Sequence, residues 1–251
     1  MSRELVAGQS GTGKSWMTQY RIESNAPRFD AVVVLDYCDE YRGLCKAGLA
    51  QWLGVGGAEA NLSIDAWADL LRSNEAIVAA RAISAERWRE DVVPTVAQAG
   101  RAIDGDVLVA IDEAHFVARM RKSTPKDVEE LATTGRGQGI ASIWVTQRLA
   151  KLDPTVSSQC DRRLLGIFTN PNDIDRVDAI VDYPAEVHNS QKSRVRNLPE
   201  ELGDGPLEET GPGSEWIYST RAGEYKRIDS STLTMTSTHY GPEGSQLDIP
   251  G

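Results

Sequence analysis

The chain has 251 residues, 40% of them hydrophobic and 25% charged, enough for one large globular core or a core with an added tail. Its formal net charge of -10 excludes a protein that grips nucleic acid through bulk positive charge, since that requires a broad basic face to displace phosphate counterions. No apolar run is long enough to span a bilayer, and the N-terminus enters an apolar strand instead of a basic region followed by an apolar stretch, so the expectation is a soluble chain without signal peptide or transmembrane segment.

In chain order, residues 4–7 predict a short strand running into Gly8, and residues 14–25 the helix behind it. Residues 31–38 form a near-continuous apolar run of the kind buried on both faces of a parallel sheet. A flexible Gly-rich turn at 54–57, a helix over 64–72 and a short strand over 76–80 come next. Residues 84–102 predict a helix capped by Ser84, with Arg87 and Trp88 in its first turns and Pro94 placed to kink it. Strands are expected at 106–111, 140–146 and 164–168, and helices at 125–134, 154–160 and 171–181. This alternation predicts an α/β fold, a mainly parallel sheet with helices on both faces. Beyond Pro184, Gly, Pro, Ser, Thr and Glu dominate, with one hairpin, 216–220 against 224–228, turning at 221–223. From Ser230 onward the composition reads as a mobile or partner-bound tail. Cys38, Cys45 and Cys160 lack metal-ligand spacing, which points to a reducing compartment and away from zinc.

The chemistry sits at two places on this frame. Gly8-Gln9-Ser10-Gly11-Thr12-Gly13-Lys14-Ser15, followed by Trp16, matches the phosphate-binding P-loop (Walker A) in full, between a strand and a helix. Its glycines let backbone N–H groups face the phosphates, Lys14 reaches the β and γ phosphates, and Ser15 is placed to ligate Mg²⁺. The strand ending at Ile111 delivers Asp112 and Glu113 to its C-terminal tip, where ligands bind in open α/β sheets. Asp112 is assigned to the metal shell and Glu113 to polarising the attacking water. ATP and Mg²⁺ are the expected cofactors. Asp112-Glu113-Ala114-His115 also spells a helicase signature, but too few residues follow for the second motor domain those enzymes need. His115 therefore reads as a coupling or packing residue. Gln147, after the strand 140–146, is a candidate sensor for water or γ-phosphate.

The stretch Gly135-Arg136-Gly137-Gln138-Gly139-Ile140, then Val145-Thr146-Gln147-Arg148, then Leu152-Asp153-Pro154-Thr155-Val156 and the following strand resembles the FtsK/HerA superfamily of DNA-translocating ATPases over about residues 3–182. The resemblance implies a RecA-like P-loop domain with an additional strand between the P-loop and Walker B strands, here residues 1–183, with an extension over 184–229 and a tail over 230–251. It implies a homo-oligomeric ring, usually a hexamer, in which an arginine of one subunit completes the neighbour's site: Arg136 first, Arg148 second. The absence of the modules that precede the motor in cellular members makes the chain similar to the minimal genome-packaging ATPases of tailless, internal-membrane icosahedral viruses. The implied partners are double-stranded DNA and capsid or membrane-vertex proteins, in the host cytoplasm and at a virion vertex. Acid excess with 20 Arg against 7 Lys suits a halophilic virus or a high-GC genome equally. DNA contacts are expected from Arg119, Arg121, Lys122 and Lys126, with Lys192, Arg194 and Arg196 as a second cluster; either group would track phosphates without reading sequence. A cellular HerA-like or conjugation-type motor, and an assembly factor that does not move DNA, remain open alternatives. The tail is expected to be dispensable for hydrolysis, because every nucleotide motif lies before Pro171.

Overall fold

The computed structural model describes residues 1–189, 215–247 and 249; the cluster of Lys192, Arg194 and Arg196 lies outside them. The strands are β1 (Arg3–Ala7), β2 (Ala31–Asp36), β3 (Gln51–Val55), β4 (Ala76–Arg81), β5 (Val107–Ile111), β6 (Ile140–Thr146), β7 (Arg162–Leu165), β8 (Glu215–Thr220) and β9 (Tyr225–Asp229). They form one sheet in the order β3-β4-β2-β5-β6-β1-β7-β8-β9. The first seven run parallel, whereas β8 is antiparallel to β7 and β9 to β8. As expected, β6 lies between the P-loop strand β1 and the Walker B strand β5.

The side-chain period of two divides each central strand between two cores. Leu5 and Ala7, Val33 and Leu35, and Val107, Val109 and Ile111 face one core, with Trp67, Leu71, Val96, Leu131, Val156 and Val177. These come from α3 (Ile64–Ser73), α5 (Val93–Arg101), α6 (Lys126–Thr133), α7 (Pro154–Gln159) and α8 (Pro171–Asp178). Val6, Val32, Val34, Leu108, Ala110, Ile143 and Val145 face the other, with Met17, Ile22 and Leu44. Among the described residues, only α1 (Lys14–Asn25) and the short α2 (Arg42–Lys46) cover this second face with α-helix.

That thin cover explains the C-terminal part of the chain. The hairpin is no separate extension: it continues the sheet through the register Leu164↔Tyr218, and Trp216 joins the second core with no exposure. Residues Ser230–Leu247, expected as a mobile tail, lie against the same face, with Leu233 packed on its core. Glu23 of α1 accepts from the Ser237 backbone N–H at 3.0 Å, and Arg42 of α2 donates to the Leu247 carbonyl at 3.2 Å. The approach is so close that a Cβ on Gly43 would stand 2.0 Å from the Thr238 carbonyl oxygen.

Two further differences from the expected elements have local causes. The turn expected at 54–57 is in part the edge strand β3, paired with β4. The helix expected over 84–102 is three pieces: α4 (Ala85–Arg87), a π-helical turn Trp88–Val92, and α5. Pro94 cannot donate to the carbonyl one turn back and its ring crowds that carbonyl; the widened turn accommodates both effects.

Candidate active site

The P-loop spans from β1 to α1. Gly11 and Gly13 have φ of +81° and +77°, conformations that cost a side-chain-bearing residue about 1 kcal/mol or more. Gly8 is required for space, because a Cβ there would lie 2.9 Å from Thr12 Oγ1 and 3.4 Å from Gly166 Cα. Thr12 Oγ1 donates to the Gln9 carbonyl at 2.8 Å and stiffens the loop. The loop is seated on its neighbours by backbone bonds: Gly8 N–H donates to the Thr146 carbonyl at 3.3 Å and Gln9 N–H to the Ile167 carbonyl at 2.9 Å. Ser10 and Gly11 are exposed, and Lys14, Ser15 and Trp16 are half-buried. Gly13 is the N-cap of α1, so no capping side chain competes for the first-turn amides that an anion would use. Trp16 stacks on Tyr20, centroids 6.0 Å apart.

Asp112 and Glu113 follow β5 at the same edge of the sheet, and both are buried. Glu113 has φ of +45°, a strain of about 1–3 kcal/mol of the kind that persists at functional turns. Asp112 Oδ2 and Glu113 Oε2 are buried without a hydrogen-bond partner. Glu113 Oε2 is 3.1 Å from His115 Nδ1, but off the hydrogen-bonding direction. His115 Nδ1 instead bonds Thr146 Oγ1 at 3.0 Å, and Thr146 Oγ1 accepts from the Arg148 backbone N–H at 3.1 Å. His115 thus joins the Walker B turn to the tip of β6, where Gln147 sits half-buried beside the start of the P-loop.

Asp36, which the sequence reading passed over, ends β2 beside Asp112 and is fully buried. Its carboxylate accepts from the Glu40 and Tyr41 backbone N–H groups at 3.1 and 3.0 Å. Burial nevertheless raises its pKa to about 7. Burial also pushes Asp112 well above the usual carboxylate range, reinforced by Asp36, Glu113 and Glu40 and opposed by Lys14. No group of three His, Cys, Asp or Glu side chains among the described residues is arranged to hold a metal on its own. The orphaned Asp112 oxygen, in a crowd of acids, fits a hard divalent cation bound by one or two protein oxygens together with a ligand's phosphates. Ser15 and Asp112 are the residues that could hold it. Ser15 Oγ also has a neighbour the sequence did not reveal: His239 Nε2, 3.1 Å away, on a ring whose pKa burial lowers to about 4.

A cavity of about 760 Å³ opens beside this edge, lined by His115, Arg119, Arg121, Arg148, Lys151 and Arg176 among others, with Asp175 as its one acidic lining residue among those described. Two of the four expected DNA contacts, Arg119 and Arg121, therefore line a basic wall. Lys122 does not line it, and neither does Lys126, which pairs with Glu130 on α6 at 3.6 Å. The loop carrying the two arginines is held by buried Arg89, whose guanidinium donates to the Val117 carbonyl at 3.0 Å and to the Ser123 carbonyl. The Asp153 N–H to Ala118 carbonyl bond, 3.0 Å, ties the same loop to the segment after β6. Arg148, which lines the cavity, lies 3.7 Å from the buried Asp173. Arg136 occupies the turn Gly135–Gln138 that leads into β6, at the opposite edge of the sheet from the P-loop. A strand's length of roughly 20 Å separates it from its own subunit's site; its side chain is outside the described residues.

No protein-family model and no curated protein sequence matches the chain. Solved structures do. The chain is similar to the genome packaging NTPase B204 from Sulfolobus turreted icosahedral virus 2 in complex with ATP-gammaS, at 16% identity and a TM-score of 0.61 over 90% of this chain and 95% of that one. It is similar to B204, the DNA-packaging ATPase from Sulfolobus turreted icosahedral virus, at 15% identity and a TM-score of 0.59, over 90% of this chain and 96% of that one. A third likeness is to VirB4 of Thermoanaerobacter pseudethanolicus, at 11% identity and a TM-score of 0.57, over 91% and 88% of the two chains. At these identities the likeness is one of fold, and the fold is that of a P-loop NTPase.

Proposed function

We propose that the chain is an ATP-hydrolysing motor that moves double-stranded DNA, and that this DNA is a viral genome entering a preformed capsid. The observation that carries the ATPase reading is the meeting, at one edge of the sheet, of a complete P-loop, two orphaned buried carboxylate oxygens and the polar tip of β6. Lys14 neutralises the β and γ phosphates there. Ser15 and Asp112 would hold Mg²⁺, which when bound would offset the charge of the phosphates. Glu113 accepts the proton of the attacking water, in a place where burial and fixed backbone keep that oxygen aimed. The His115–Thr146 bond links this base to Gln147, a path by which loss of the γ-phosphate reaches β6 and the basic loop paired to the segment after it.

The DNA reading is supported by the basic cavity wall beside the Walker B turn and by the fold shared with B204, a genome packaging NTPase. A ring is the assembly that a trans-acting Arg136 would require: its turn lies at the far edge of its own sheet, so as the finger it would serve a neighbouring subunit's phosphates, whereas Arg148 is at the near edge. Steady-state ATP turnover with and without duplex DNA tests the proposal. Duplex should raise turnover in the wild-type protein, Lys14→Ala should bind ATP weakly, and Glu113→Gln should bind ATP but turn it over at least 10²-fold more slowly. Turnover indifferent to duplex would favour an assembly factor that uses the site as a switch. Wild-type turnover in Glu113→Gln would remove Glu113 as base.

A further inference from the structure

The C-terminal segment reaches the P-loop through hydrogen bonds whose donors and acceptors can be assigned one by one. The Thr238 carbonyl can only accept, so the Gln19 side-chain atom facing it at 3.3 Å is the amide nitrogen. The same nitrogen donates to Ser237 Oγ at 2.8 Å, and Ser237 Oγ gives its own proton to Glu23 at 2.5 Å. Gln19 therefore turns its carbonyl oxygen, which has no proton, toward His239 Nδ1 at 2.8 Å. Nδ1 must be the protonated nitrogen of the neutral ring, which leaves Nε2 a bare acceptor. Nε2 lies 3.1 Å from Ser15 Oγ, so the Ser15 hydroxyl proton points at His239.

We infer that His239 is a positioning residue for Ser15: by taking the hydroxyl proton, it keeps the oxygen's lone pairs turned toward the divalent cation. An unpartnered serine hydroxyl can rotate and direct its proton at a nearby carboxylate or phosphate, which turns those lone pairs away. His239 removes that option, much as outer-shell partners orient ligands in other metal sites. The segment carrying it is built to stay. Glu23 accepts from the Thr236 and Ser237 backbones, Arg42 bonds Asp39 and the Leu247 carbonyl, and only glycine at position 43 lets the Thr238 carbonyl approach. The C-terminal segment is then part of the nucleotide site, and not the dispensable tail its composition implies. This rests on the P-loop reading above.

The test is a binding measurement. The affinity of a fluorescent ADP analogue is taken in Mg²⁺ and in EDTA, and their ratio is the metal-dependent gain. His239→Ala should lower this gain by about 10-fold or more, and His239→Gln, whose amide oxygen can accept at the same place, should restore most of it. Gly43→Ala displaces the Thr238 carbonyl while leaving the P-loop and His239 chemically intact, so it should lower the gain as His239→Ala does. A gain unchanged in folded His239→Ala and Gly43→Ala overturns the inference, as does an increased gain, which would make His239 a blocker of the site. Wild-type binding that Lys14→Ala abolishes shows that the nucleotide reading stands whichever way His239 falls. A wild-type protein that binds no nucleotide overturns both.

Discussion

Asp36 and Asp112 end neighbouring parallel strands, and the strand pairing that places Leu35 beside Ile111 forces their carboxyl groups into one buried space. Burial raises Asp36 from the ordinary 3.8 to about 7. Between those values the folded chain holds a proton that the unfolded chain has released. The associated stability is therefore full below the unfolded value and is lost as pH rises through about 7. Asp39 and Asp112 are the acidic groups that act on it, and Arg42, itself paired with Asp39, is the nearby cation. Asp36→Asn, which fixes the uncharged form, should gain in melting temperature relative to wild type as pH is taken from about 5 to about 8 in a chelating buffer. A difference that does not change with pH would mean that Asp36 is ionised throughout. The sequence named Lys14, Ser15, Asp112 and Glu113 because phosphate chemistry needs them at fixed spacing in contiguous segments. Asp36 and His239 were invisible for the opposite reason: each acquires its meaning from a partner far along the chain, Asp112 in one case and Ser15 in the other.

Strands and helices were legible in proportion to how completely they are buried. β2, β5 and β6 lie inside the sheet with both faces covered, so nearly every residue is apolar and the run declares itself. β3 is an edge strand with exposed Gln51 and Trp52 and a glycine, and carries no pattern to read. The five residues of α2 are too few to show a helical period. The hairpin was found, but its attachment was not, because nothing in residues 215–229 says which strand β8 will pair with. Trp216 decides how much that attachment matters. It is fully buried, and its ring is 3.3 Å from where a Cβ on Gly166 would stand, next to the P-loop. Trp216→Ala should lower the free energy of unfolding by about 3–5 kcal/mol, measured by urea titration. A loss under about 1 kcal/mol would make β8 and β9 a detachable appendage after all.

For the whole molecule, the proposed function raises the electrostatic question of how a chain of net charge -10 would hold a polyanion. The basic wall of the cavity would do so locally: Arg119, Arg121, Arg148, Lys151 and Arg176 line it together. Such a contact should be independent of base sequence and strongly dependent on salt. Arg119→Ala with Arg121→Ala should weaken duplex binding equally on unrelated sequences and make the slope of log affinity against log salt shallower by about 1–2. An unchanged slope in fluorescence anisotropy titrations would move the DNA path away from this wall. The bond between Ser15 and His239 spans 224 positions of the chain, and it has a consequence in time. A ribosome adding about 5–20 residues per second makes the phosphate loop first and supplies its histidine roughly 10–45 seconds later. A nascent chain, or one cut short before Thr238, carries every nucleotide motif but has Ser15 unaligned. On the inference above, the alignment of Ser15 thus waits on synthesis of the far segment, and a subunit lacking that segment would hold its cation less tightly.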